Sequence, residues 1–166
     1  MINPITAQLR RTDTDAVSIA EELMSTTVAK LPTFPGFERR KWSSMICDHN
    51  GELKRDSVHI EVTYVFASDA SALPLVREQY IPLVKQIWHD EGHRIFREEP
   101  THGGEKFSLE ASATENFNLY YRVAHYVYFR IYSGCVARTD QFPDIPALGG
   151  IKAENDKAQN LIHPHF

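Results

Sequence analysis

Residues Ser57–Phe66 read SVHIEVTYVF. Val58, Ile60, Val62, Tyr64 and Phe66 fall on one side of an extended chain, and His59, Glu61 and Thr63 on the other. A period of two with one apolar side predicts a strand in an antiparallel sheet that lays one face on a core.

Working outward, the segment before this strand predicts a helix over 12–31. Ala16, Ile19, Ala20, Leu23, Thr27, Val28 and Leu31 recur at spacings of three and four and form one apolar stripe. Thr12 or Thr14 can cap its start, Asp13 and Asp15 suit its positive end, and Pro32 with Pro35-Gly36 ends it. Residues 33–56 carry no sustained period. They read as irregular, anchored by Trp42. After the strand, Leu73, Val76, Tyr80, Leu83, Val84, Ile87 and Trp88 predict a second helix over 68–91. Pro74 fits its first turn, Gly92 its C-terminal cap, and Pro82 predicts a kink or two abutting helices.

The remainder reads as β. Short strands are expected at 94–98 and 106–111, with turns at Pro100–Gly104 and Thr114–Asn116. Residues 117–132 form a long β-prone run, either one bent strand or two. The expected fold is α+β: an antiparallel sheet of four to five strands, two main helices on one face, in the order α-β-α-β-β-β. The expected domain covers 12–136, after an N-terminal extension over 1–11. The proline-containing tail over 137–166 reads as a surface-hugging or disordered extension.

Composition agrees with a single globular domain. The chain has 166 residues, 42% hydrophobic and 24% charged, with a formal net charge of −4. That balance gives no basic nucleic-acid footprint, and no apolar run reaches membrane-spanning length. The first ten residues, MINPITAQLR, lack the pattern of a signal peptide. On sequence alone the protein is either cytosolic or has lost a leader.

Few motifs point to chemistry. His89-Asp90-Glu91-Gly92-His93 places two histidines at i and i+4, which on one helical face can hold a metal. The metalloprotease pattern needs Glu at the second position, where this chain has Asp90, and Gly92 is expected to end the helix before His93. His125 reads as a core histidine on the apolar side of the last run, beside Val127, Phe129 and Ile131. No nucleophile elbow or phosphate loop is present, and Cys135 matches no catalytic cysteine motif. Arg122, Tyr126, Tyr128, Arg130 and Tyr132 share one side of the last run, opposite its apolar residues. Tyr and Arg are the types enriched where proteins bind. Cross-strand pairing, or cover by another segment, would also account for them.

The two cysteines, Cys47 and Cys135, allow two readings. If the strands they flank are antiparallel neighbours, both reach one edge of the sheet and can bridge; otherwise they are buried thiols. Ile46-Cys47-Asp48, the following alternating strand, the Trp88–Gly92 helix end and Ser133-Gly134-Cys135 together give a pattern. That pattern resembles the small mycobacterial LppA-type lipoproteins and related actinobacterial cell-envelope lipoproteins. The resemblance covers residues 12–147 and implies an exported, lipid-anchored domain with Cys47 bridged to Cys135. It implies no catalytic residue and no cofactor.

The functional expectation is therefore a non-enzymatic, extracytoplasmic domain that binds an envelope protein, glycan or lipid. Membrane association is expected only through a lipid anchor in a precursor. A small immunity or exclusion protein blocking a toxin or phage component is the second expectation. A metal-dependent hydrolase built on His89 and His93 is the third.

Overall fold

The structure, a computed structural model, describes residues 11–101, 106–113 and 116–158. Helix α1 spans Asp13–Val28, strand β1 Arg39–His49 and strand β2 Glu52–Val65. A single turn α2, Ser68–Ser71, leads through a π-helical turn at Leu75–Gln79 into helix α3, Tyr80–Asp90. Strands β3 (Arg94–Thr101), β4 (Lys106–Ser112), β5 (Asn118–Val123) and β6 (Val127–Ala137) follow, then a short edge strand β7, Asp156–Lys157. They form one seven-stranded sheet in the order β3-β4-β5-β6-β2-β1-β7. All neighbours are antiparallel except β1 and β7.

The α+β class stands, but the sheet is larger than four to five strands and the element order is α-β-β-α-β-β-β-β-β. The main correction is β1. Its inward positions include Arg40 and Ser44 rather than a run of apolar residues, so the period of two does not show in a hydropathy reading. Asn50 and Gly51, both at positive φ, make the two-residue turn that closes β1 onto β2, with His49 opposite Glu52. Cys47 accordingly lies in β1 and not in a loop. Trp42 is the buried anchor expected of that stretch.

The second helix is two abutting pieces. Pro82 has no N–H for the Glu78 carbonyl, and its ring crowds that turn; the backbone widens to a π turn just before it. The long run over 117–132 is two strands, broken at Ala124-His125-Tyr126, where the Ala124 N–H donates to the Tyr126 carbonyl. His125 is exposed in that turn and so is not a core residue. The strands expected at 94–98 and 106–111 are present and somewhat longer. Of the turn expected at Pro100–Gly104, Pro100 and Thr101 belong to β3, while 102–104 lie outside the described residues. The turn expected at Thr114–Asn116 also falls largely outside them.

Both main helices cover one face of the sheet. Ala16, Val17, Ala20 and Met24 of α1 meet Val84 and Trp88 of α3 over Ile60, Val62, Tyr121 and Phe129. The Trp88 indole N–H donates to Thr27 Oγ1 at 3.0 Å, so the two helices are joined by a satisfied buried polar contact. Thr12 and Asp15 form a capping box at the start of α1.

The segment after β6 packs as a strap along the α1 side of the core. Asp13, fully buried, accepts the backbone N–H groups of Thr139 and Asp140 at 3.0 and 2.9 Å. Phe142, Ile145, Leu148 and Ile151 rest on the core, and Ala158 is buried. The strap is held by Arg40, which is 2% exposed. Its guanidinium donates to both oxygens of Asp156, to Glu21 Oε1 and to the Ile145 carbonyl, all at 2.8–2.9 Å. Glu21 also accepts from the Trp42 indole at 2.9 Å and the Tyr64 hydroxyl at 2.6 Å. Burial opposes the Arg40 charge, but Asp156, Tyr64 and Glu21 outweigh it and hold its pKa above the ordinary arginine value.

Candidate functional site

The face of the sheet opposite the helices carries the unusual side chains. Register places Thr63, Arg130, Tyr120 and Glu110 side by side across β2, β6, β5 and β4, with Lys41 and Arg97 at the two ends of that row. In the next row Tyr128 lies opposite Arg122, and Arg122 opposite Ser108. On the other side Glu61 lies opposite Tyr132. Tyr120, Tyr128, Tyr132, Arg122 and Arg130 are half-buried on this face, and Arg97 is exposed at its edge.

The ladder is preorganised by charge. The Arg130 Nε pairs with Glu61 at 2.7 Å, and the Arg130 guanidinium lies 5.1 Å from the Tyr128 ring centroid. Arg122 sits 5.0 Å from the Tyr120 centroid and 4.0 Å from Glu110, which also pairs with Arg97 at 3.3 Å. Such stacking and pairing fix the guanidinium planes. Arg122 Nε is buried and has no hydrogen-bond acceptor. A cleft of about 300 Å³ opens beside it, lined by Arg97, Lys106, Glu110, Arg122 and Tyr128 among others. A second, of about 420 Å³, lies between Arg39, Lys41, Arg130 and Lys157, with Glu61 and Glu154. Cations outnumber carboxylates in both clefts, although the chain as a whole is acidic.

Of the five residues grouped from the sequence, Arg122, Tyr128, Arg130 and Tyr132 share this face. Tyr126 is in the β5–β6 turn, its ring under Arg39 at 5.1 Å. Tyr120, Glu61, Glu110 and Arg97 complete the face. Tyr120 keeps the parity of Arg122 and was legible on that ground; the others come from strands whose register no single run discloses.

Cys47 and Cys135 form a disulfide with a Cα separation of 6.2 Å. The strands expected to bring them together, β2 and β6, are antiparallel neighbours, but Cys47 itself lies on β1, on the far side of β2. β1 and β6 flank β2, and β2 is irregular opposite Ile46/Cys47 and again between His59 and Glu61, so the bridge passes over the outer side of β2 at His59. The His59 ring stacks on Tyr132 with centroids 5.1 Å apart, which ties the bridge to the tyrosine ladder.

His89 is exposed beside Asp90, and Gly92 ends α3, so His93 leaves the helical face of His89. Among the described residues neither histidine belongs to a group of three possible metal ligands. Burial lowers the pKa of His93, against a smaller opposing effect of Glu91. It lowers that of His59 likewise, against Glu61. The unfolded chain therefore binds protons more readily at both positions, and stability rises with pH between the folded values and about 6.5. The urea midpoint is expected to fall as pH drops from 7 to 5, and to fall less steeply in His93→Gln. An identical slope in that variant would contradict the assignment.

No protein-family model matches the chain, and no curated protein matches it. Among solved structures, the "putative lipoprotein LppA" of Mycobacterium tuberculosis is similar at a TM-score of 0.35 and 13% identity over 88% of this chain and 87% of that one. This is a distant resemblance of fold.

Proposed function

We propose that the protein is a non-enzymatic binding domain of the cell envelope that takes an anionic glycan on its outer sheet face. One observation carries this reading: a broad sheet face presents tyrosine rings interleaved with oriented guanidinium groups. Tyrosine rings offer flat apolar surface to sugar rings, and arginine forks fit carboxylate or phosphate substituents. The two cation-lined clefts flank that surface. The Cys47–Cys135 bond supports an oxidising, extracytoplasmic setting.

Calorimetric titration with a uronic-acid oligosaccharide and with its neutral counterpart tests the reading. Binding is expected only for the anionic sugar, weakening as salt is raised. Tyr128→Ala and Arg130→Ala are each expected to lower affinity by about 1–2 kcal/mol, roughly 5–30-fold. Each is expected to shift folding stability by about 1 kcal/mol or less, because both side chains are half-buried. Equal affinity for both sugars, or no loss in either variant, would defeat the proposal.

A further inference from the structure

Cys47, His59 and Cys135 converge at one point of the sheet. One ligand atom from each lies within 4.8 Å of the others, and Cys47 Sγ is 3.8 Å from His59 Nδ1. Among the described residues this is the group of three potential metal ligands that the fold brings together. We infer that, once its disulfide is reduced, the protein binds a thiophilic divalent cation of the zinc class through Cys47, Cys135 and His59.

The geometry supports this without a rearrangement of the backbone. Tetrahedral zinc with Zn–S bonds near 2.3 Å holds two thiolates about 3.8 Å apart. Cysteine Cα atoms 6.2 Å apart can supply that spacing by rotating the side chains alone. His59 Nδ1 is already at ligand distance from Cys47 Sγ. The three residues come from three adjacent strands, β1, β2 and β6, so the sheet itself fixes their relative positions. His59 and Cys135 are half-buried, which leaves the fourth coordination position to a water.

Access decides the order of events. Cys47 is 1% exposed and Cys135 is partly open. A thiolate of a dithiol reductant therefore attacks Cys135 Sγ. The Cys47–Cys135 bond breaks, Cys47 leaves as a thiolate, and the reductant is joined to Cys135. The reductant's second thiol closes its own disulfide and frees the Cys135 thiolate. Two electrons pass from the reductant to the bridge, and the cation then takes both thiolates and the imidazole. Disulfide and metal are mutually exclusive occupants of the same atoms.

This inference is independent of glycan binding. Its test is titration of the whole reduced protein with cobalt(II) in place of zinc, under anaerobic conditions, followed by absorption and circular dichroism. One equivalent is expected to give the near-ultraviolet thiolate-to-cobalt band, and zinc to displace it. The oxidised protein is expected to give none. Loss of an outer-shell partner alone weakens metal sites about 10–100-fold, so His59→Ala, which removes a direct ligand, is expected to weaken cobalt binding at least that much. Cys135→Ser is expected to abolish the two-thiolate band. If reduction loosens the fold, added cobalt is expected to restore the dichroism. Equal affinity in wild type and His59→Ala, absence of the band, or a reduced chain that cobalt neither binds nor restores would each overturn the inference.

Discussion

Replacing Arg40 by alanine is expected to destabilise the protein by about 3–5 kcal/mol, the range for stranding one partner of a buried ion pair. Glu21, 5% exposed, would keep the Trp42 and Tyr64 donors but lose its cation, and Asp156 would lose both of its guanidinium bonds. The magnitude follows from the burial of Glu21, because an unpaired carboxylate there cannot be solvated by water. The damage is expected to spread along the chain. Arg40 also donates to the Ile145 carbonyl and, through Asp156, holds β7 beside β1, so the strap over 139–158 would lose its central fastening. Urea denaturation gives the energy, and limited proteolysis gives the location: cleavage within 139–152 is expected to accelerate before cleavage elsewhere. A loss below about 1 kcal/mol in Arg40→Ala would show that the network contributes little.

Removal of the Cys47–Cys135 bond is the second large effect. The bridge joins residues 88 apart and encloses β2 through most of β6. The chain-entropy estimate for a loop of that length is about 4–5 kcal/mol. The paired variant Cys47→Ser with Cys135→Ser is expected to lose about that much, visible as a lower denaturation midpoint by urea. The single variants are expected to lose a similar amount, because either one opens the loop. Cys47 is buried, so a serine hydroxyl there adds a desolvation cost, and Cys47→Ala is expected to be the milder change. Midpoints unchanged in all of these variants would contradict a bridge that constrains the unfolded chain.

The parts of the fold legible in the sequence were those where apolar period and burial coincide. Ser57–Phe66 showed its strand because every inward position is apolar, and each of Val58, Ile60, Val62, Tyr64 and Phe66 is buried. Helix α1 was legible from its stripe and its capping residues. β1 was not, because the sheet buries a charge at Arg40 that only Glu21 and Asp156 make tolerable, and those partners lie far off in sequence. The Asn50-Gly51 turn was the one local signal that could have exposed the β1–β2 hairpin. The strap carries its apolar residues at Phe142, Ile145, Leu148 and Ile151 without regular structure, so it offered no hydrogen-bond period to read.

The outer face was half legible. Parity along β6 put Tyr128, Arg130 and Tyr132 together, but it could not show that Glu61, Tyr120 and Glu110 stand beside them, since that follows from register across four strands. It also assigned Tyr126 and His125 to a strand where the chain turns. The antiparallel pairing of β2 with β6, on which the bridging reading of the cysteines depended, is present, but Cys47 reaches Cys135 from β1 on the far side of β2 and not from a loop before it.

Binding of an anionic glycan on the outer sheet face is to be read by backbone amide NMR of the oxidised protein titrated with a uronic-acid oligosaccharide. Saturable shift changes are expected in β2, β4, β5 and β6 around Thr63, Glu110, Tyr120, Arg122, Tyr128 and Arg130, with α1 and α3 unmoved. Shift changes centred on the helices or the strap, or none at millimolar sugar, would contradict it.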